Sequence, residues 1–292
     1  MTNNSEKVWL ITGCSTGFGK EQAELVLSKG YRAVVTARSK SKVQHFADSY
    51  PDQALALSLD VTKDSDIQAA VSKAQDTFGR IDVLFNNAGF GAFGAAEAYS
   101  MDEIQQEFDT NVFGLLRLTQ AVLPMMRQQQ SGHILNMASV AGRTAPPGFG
   151  LYASSKHAVE GLSKSIAAEV APFNIKVTII EPGIFRTDFG GRSLQKTNHP
   201  VAAYEDIMQQ TEKQIVAQYE NYDEQQGDPA KAAQAMLKIT EVENPPLFLA
   251  LGADAVELIE QQIQKARQDL EQWSELSKAT TYASEKDILN DF

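Results

Sequence analysis

Short runs of β-branched and apolar residues alternate with longer stretches of helical period along most of this chain, and no other feature narrows its fold so far. The runs are Val8 to Thr12, Ala33 to Thr36, Ala54 to Leu59, Val83 to Phe85, Ile134 to Met137, Val177 to Ile180 and Leu247 to Leu251. Most are apolar throughout, as strands are when helices cover both faces of a sheet. Their alternation with helical segments is that of repeated βαβ units. A doubly wound α/β fold with a parallel sheet of about seven strands is therefore expected. At 292 residues with 43% hydrophobic content, a single domain can hold all of it.

The segments between the runs carry apolar residues three and four apart, the period of a helix with one buried face. Ile104, Phe108, Val112, Leu115 and Leu116, continued by Thr119 and Val122, predict one long helix. Between Gly190 and Asp228 the pattern changes. This stretch is polar and glutamine-rich, broken by Gly190-Gly191 and Pro200, with one amphipathic helix expected around Tyr204 to Tyr219. An insertion of that length in a compact domain is read as a substrate lid. After Trp273 the apolar period is lost, and residues 274–292 are expected to form a solvated, partly ordered tail.

A net charge of −11 repels phosphate backbones and anionic headgroups, which argues against nucleic-acid and membrane partners. The first residues, Met1 to Lys7, contain no apolar core for a signal peptide, and no later segment is long and apolar enough to span a bilayer. A cytoplasmic protein is expected. Cys14 is the single cysteine, and His45, His133, His157 and His199 share no ligand spacing, so no metal is expected.

Directly after the first strand comes Thr12-Gly13-Cys14-Ser15-Thr16-Gly17-Phe18-Gly19, and a helix begins near Lys20. Glycines here allow a tight turn and let the backbone approach a pyrophosphate, whose charge faces the amides and positive end of the helix. With that turn the expected sheet is of Rossmann type. The spacing T-G-x-x-x-G-x-G resembles the short-chain dehydrogenase/reductase family. The likeness continues through Asn86-Asn87-Ala88-Gly89, Ser139, Tyr152-Ala153-Ser154-Ser155-Lys156 and Pro182-Gly183, in that order and across residues 7–190. It implies that Gly13, Ser15, Thr16, Gly17, Phe18 and Gly19 hold the cofactor phosphates. It also implies that Asp60, Val61, Asn87, Ala88 and Gly89 border the adenine side, and that Pro182, Gly183 and Thr187 lie beside the nicotinamide.

A hydride arriving at a ketone carbon leaves an alkoxide that needs a proton, and a tyrosine of ordinary pKa near 10 supplies it efficiently only when tuned. Lys156 lies four residues after Tyr152 on a helix, so the two share a face, where the positive charge favours the phenolate. Ser139 follows a strand's carboxyl end, where such sheets place their ligands, and its hydroxyl can donate to the substrate oxygen. Asn111 matches the family asparagine that holds a water linking Lys156 to solvent. Any one of the four read alone is a surface aromatic, a solvated lysine, a turn serine or a core amide; together, in register with the glycine turn, they read as a catalytic set.

Phe93, Phe149, Phe185 and Phe189, with Phe90 nearby, predict an apolar pocket for a fairly hydrophobic ketone or alcohol. By alignment to the family, Ala37 occupies the place of the carboxylate that selects NAD, and Arg38 follows, where a guanidinium can pair with the 2′-phosphate of NADP. No basic residue stands inside the glycine turn to assist it. An NADP-preferring enzyme is expected, forming a homodimer or homotetramer through Met101 to Gln129 and Leu151 to Phe173. The alternatives are an NAD-dependent steroid or sugar alcohol dehydrogenase and an inactive, cofactor-sensing binding module.

Overall fold

The computed structural model describes residues 7–191, 193–220 and 227–282. In chain order the first half comprises β1 (Val8–Ile11), α1 (Gly17–Ser28), β2 (Arg32–Ala37), α2 (Gln44–Ser49), β3 (Ala54–Ser58), α3 (Asp64–Phe78), β4 (Val83–Asn86), β5 (Gly91–Phe93), α4 (Met101–Phe108) and α5 (Leu115–Gln129). The second half comprises β6 (Gly132–Met137), α6 (Ala141–Thr144), α7 (Gly150–Val170), β7 (Ile175–Pro182), β8 (Leu194–Lys196), α8 (Glu205–Glu220), α9 (Pro229–Ile239), β9 (Phe248–Leu251), α10 (Ala253–Gln272) and α11 (Ser274–Ala279).

Seven of these strands form one parallel sheet in the order β3-β2-β1-β4-β6-β7-β9. Alternate residues of each strand face opposite sides. Trp9, Ile11, Val35, Phe85 and Leu135 pack beneath α1 and α9, while Leu10, Val34, Leu84 and Ile134 pack beneath α3, α5 and α7. Both faces are thus buried, the reason the strands lack a polar alternation. The strand order reverses direction between β1 and β4, and the carboxyl ends there open a crevice, the usual ligand position in such sheets.

Four features depart from the sequence pattern. The long helix over 101–129 is interrupted by a π-helical segment, Asp109–Gly114, with Asn111 inside it; the extra residue per turn re-aims its side chains. Gly114 lets this segment press on the cofactor crevice, since a Cβ there would come within 2.7 Å of Val61 Cγ2. A second, two-stranded parallel sheet joins β5 to β8, and three-residue strands leave no readable period. Residues 274–279 of the expected tail are helical, while residues 283–292 lie outside the described ones. On the two helices expected to form an oligomer face, Met101 to Gln129 and Leu151 to Phe173, Val159 and Ile166 are instead buried in the chain's own core, whereas Phe113 is 39% exposed. No described helix is long and apolar enough to cross a membrane.

Candidate active site

At the carboxyl ends of β1, β4, β6 and β7 lies a cavity of about 940 Å³, at the upper end of the range of roughly 300–1,000 Å³ for ligand sites. One end is walled by the glycine turn. Gly13 and Gly17 take φ of +72° and +57°, a region that L side chains rarely adopt. Ser15, Thr16, Gly17 and Phe18 lead from that turn into α1 along the cavity wall, so the amides and positive end of the helix face the space. Gly19 is not on the wall. A Cβ there would stand 2.5 Å from Asn87 Nδ2 and 2.6 Å from the Gly13 carbonyl oxygen, so its role is close packing of helix against strand.

Asn87 clamps this turn. Its Nδ2 donates to the Thr12 carbonyl at 2.8 Å, and the Asn87 and Ala88 amides both donate to the Thr12 hydroxyl at 2.9 Å. Ala88, Gly89, Asp60 and Val61 continue the wall from there. Burial alone would raise the Asp60 carboxyl, but the Thr62 hydroxyl and amide, Lys63 and Arg38 together hold it below its ordinary value. Arg38 closes that end of the cavity beside Ala37. The glycine backbone, the helix end and the adjoining volume fit a dinucleotide with its pyrophosphate on α1.

Ser139, Tyr152 and Lys156 line the other half, with Pro182, Gly183 and Thr187 beneath. The Ser139 oxygen accepts the Ala141 amide at 3.1 Å, which fixes the oxygen and leaves its own proton to donate. Lys156 Nζ donates to the Met137 carbonyl at the end of β6, 2.8 Å away, and sits 5.6 Å from the centre of the Tyr152 ring. Burial pushes the Lys156 ammonium down to about 8, with the Glu107 charge opposing. The Pro182-Gly183 turn is held by Asp254, which accepts the Ile184 amide at 2.7 Å.

Asn111 lies behind the wall. Its Oδ1 accepts the Phe90 amide at 3.1 Å, and its Nδ2 donates to the Phe90 carbonyl at 2.8 Å and to Ser155 Oγ at 3.0 Å. A Cβ on Gly89 would approach Asn111 Oδ1 to 2.9 Å and Lys156 Nζ to 3.5 Å, so this glycine lets amide and ammonium converge.

The aromatic residues divide. Phe149 and Phe189 pack around the Tyr152 ring, with centroids 6.3 and 5.2 Å from it, and both face the cavity. Phe93 does not line it, being packed edge-on behind Phe149 at 5.3 Å. Phe185 packs edge-on against Phe18 at 4.9 Å, so its ring belongs with the cofactor end. Phe90 lies on the wall.

A model of the short chain dehydrogenase family matches residues 7–198. The chain belongs to that family. An oxidoreductase of Botryotinia fuckeliana is 37% identical over 94% of this chain and 99% of its own length. A 3-ketodihydrosphingosine reductase of Bacteroides thetaiotaomicron is 36% identical over 84% of this chain and 88% of its own. Among solved structures, a short-chain dehydrogenase from Streptomyces avermitilis superposes with a TM-score of 0.86 at 40% identity, covering 94% of this chain and 100% of that one. Two more distant ones, each at 26% identity over 85% of this chain and 96% of the other, carry cofactors. They are a 3-ketoacyl-(acyl-carrier-protein) reductase from Brucella melitensis with NADH, TM-score 0.72, and an alcohol dehydrogenase from Thermococcus sibiricus with 5-hydroxy-NADP, TM-score 0.68. This short-chain dehydrogenase is thus an oxidoreductase with a nicotinamide-dinucleotide fold.

Two site residues of this short-chain dehydrogenase, Lys42 and Glu107, have no motif to announce them, and a third, Thr12, heads the glycine-turn motif without a role read for its side chain. Lys42 reaches the wall near Arg38 from the 3₁₀ turn Lys40–Lys42. Glu107, fully buried, accepts the Ala92 amide at 2.9 Å and the Ser155 hydroxyl at 3.1 Å. Thr12 supplies the oxygen that Asn87 and Ala88 share. Lys42 and Glu107 sit among other charges and read as solvated, while Thr12 reads as the end of a strand.

Proposed function

We propose that the protein interconverts a fairly hydrophobic ketone and its secondary alcohol with NADP(H), Tyr152 acting as general acid and base. The observation that carries this reading is that Ser139, Tyr152 and Lys156 share one cavity with the glycine turn. When bound, the nicotinamide supplies or accepts the hydride. Tyr152 gives its phenolic proton to the substrate oxygen as the carbonyl is reduced, and takes it back in the reverse direction. Ser139 donates a second hydrogen bond to that oxygen and steadies its developing charge. Lys156, anchored on Met137, brings a positive charge beside the tyrosine, which favours the phenolate.

Phe149, Phe189, Leu194 and Pro146 on the wall support an apolar substrate, and a related reductase acts on 3-ketodihydrosphingosine. The stretch Gly190 to Asp228 serves as its lid. The Asn198 amide of that stretch donates to Glu103 at 3.0 Å, β8 pairs with β5, and Thr211 and Gln214 of α8 reach the wall; residues 192 and 221–226 lie outside the described ones. Arg38 and Lys42 support NADP over NAD, and the NADH complex of the Brucella reductase favours the second reading, NAD use. Exposed Phe113 with half-buried Leu116 and Leu162 supports a homodimer or homotetramer; the cytoplasm is the proposed location. The test is cofactor absorbance on mixing the protein with NADPH or NADH and a panel of aryl and long-chain ketones. Turnover with NADPH is expected, and silence toward every ketone and alcohol in both directions would overturn the reading.

A further inference from the structure

Helix α10 begins inside the fold, where Ala255 is buried and Asp254 holds the Ile184 amide. It then leaves the body of the protein. From Glu260 to Trp273 every residue except Gln262 is exposed. A helical stretch of this length surrounded by water is marginal, because helix stability in proteins comes mainly from packing an apolar face. Such a face exists. Val256, Ile259, Ile263, Ala266, Leu270 and Trp273 follow one another at alternating spacings of three and four, the a and d positions of a heptad repeat. Val256, Ile263, Leu270 and Trp273 are 47%, 60%, 69% and 45% exposed. Val256, Ile263 and Leu270 thus turn most of this apolar stripe to water.

We propose that this seam packs antiparallel against α10 of a second copy of the chain. Volume and charge both select that partner and that direction. In the fully overlapped antiparallel register, Val256 meets Trp273 of the second copy, Ile259 meets Leu270, and Ile263 meets Ala266. The outer layer then joins large Trp273 to smaller Val256 and the central layer joins Ile263 to small Ala266, as close packing requires, while Ile259 and Leu270 are of equal volume. In the parallel register the same helix would set Trp273 on Trp273 and Ala266 on Ala266, crowding one layer and leaving a void in another. The flanking charges agree. Antiparallel packing brings Glu260 opposite Arg267 of the second copy, twice by symmetry, and Gln262 opposite Asp269. Parallel packing would put Glu260 opposite Ala255 and leave both charges unmatched. Arg267 now pairs within its own helix with exposed Glu271, an interaction weak enough to be shared or exchanged.

Cross-linking reads the geometry directly, because Cys14, the chain's single cysteine, is buried and its thiol is pushed up to about 12 by that burial. Two differently tagged copies, one Ile263→Cys and one Ala266→Cys, are co-expressed, purified together and oxidised. A disulfide-linked pair carrying both tags is expected, at a yield at least tenfold above that of Ile263→Cys alone, which would join only in the parallel arrangement. Adding Leu270→Asp to both copies should abolish the product; because this site is exposed, the variant should keep its fold, checked by circular dichroism. Glu260→Arg in both copies should also reduce the yield severalfold, and Arg267→Glu added to it should restore it. Cross-linking of Ile263→Cys alone at equal yield, no mixed product, a product indifferent to Leu270→Asp, or no rescue by the charge exchange would each overturn the proposal. A seam that serves a different protein gives no mixed product and counts among those outcomes.

Discussion

The Ser155 hydroxyl donates to the Glu107 carboxylate across 3.1 Å, sharing its single proton with the Tyr152 carbonyl at 2.8 Å, and both side chains are wholly buried. Burial pushes the Glu107 carboxyl from its ordinary 4.5 up to about 7, against the opposing effects of the Ser155 and Ala92 hydrogen bonds and the Lys156 charge. The folded protein therefore disfavours the carboxylate. The stability this group contributes is fully present below pH 4.5 and is lost as pH rises through 7, by about 3 kcal/mol at most. Lys156, held down to about 8, acts in the opposite sense only above that pH. Glu107→Gln keeps the shape and an accepting oxygen without the charge. Its unfolding free energy, from urea titration, should gain on the unmodified protein between pH 5 and pH 8, and a difference constant across that range refutes this account.

Much of the cofactor end was legible because its requirements are local. Gly13 and Gly17 take positive φ directly between a strand and a helix, and the glycines and their place between those elements are both visible in sequence. The Glu107 network was not legible, since its helix, Met101–Phe108, contains four other residues able to carry or mimic a surface polar pattern, Asp102, Glu103, Gln105 and Gln106. Only the packing of α4 against α7 reveals which carboxylate turns inward. Asn111 was placed correctly on a helix, yet the π-helical turn that aims it depends on tertiary contacts. Phe93 and Phe185 show the same limit. Sequence proximity to a motif brought them near the site, but their rings filled the layer behind the wall and the cofactor end.

Tyr152→Phe should lower turnover by roughly a hundredfold to ten-thousandfold, the range for loss of a positioned acid. The ring still packs on Phe149 and Phe189, so cofactor affinity by fluorescence titration should change less than about twofold. A variant that keeps more than half the turnover on a confirmed substrate would remove Tyr152 from the mechanism.

Gly19→Ala should destabilise the glycine turn although Gly19 never faces the cavity. Its new Cβ would meet the Gly13 backbone oxygen at 2.6 Å and Asn87 Nδ2 at 2.5 Å, and neither is the end of a long, yielding side chain. Overpacking of this kind costs about 1–3 kcal/mol. Displacing Asn87 also loosens its hold on Thr12. Thermal unfolding should move to lower temperature and NADPH affinity should fall together; an unchanged melting temperature contradicts the packing role.

On the proposed reading, cofactor choice rests on the end of β2, where Ala37 offers no carboxylate to a ribose hydroxyl and Arg38 and Lys42 share the wall. A charge-assisted hydrogen bond to a 2′-phosphate contributes roughly 1.5–3 kcal/mol, equivalent to about a tenfold to hundredfold preference. Lys42 supplies a cation where the glycine turn, with neutral Ser15 and Thr16, supplies none. Its ammonium acts as a point charge, while the guanidinium of Arg38 presents a planar fork to the phosphate. Lys42→Ala should therefore weaken NADPH selectivity by less than Arg38→Ala does. Combining Ala37→Asp with Arg38→Ala removes the main attraction and adds a repulsion, so the ratio of kcat/KM with NADPH to that with NADH should invert. Steady-state rates with both cofactors on one ketone decide it, and an unmodified protein that already prefers NADH disproves this reading of the strand end.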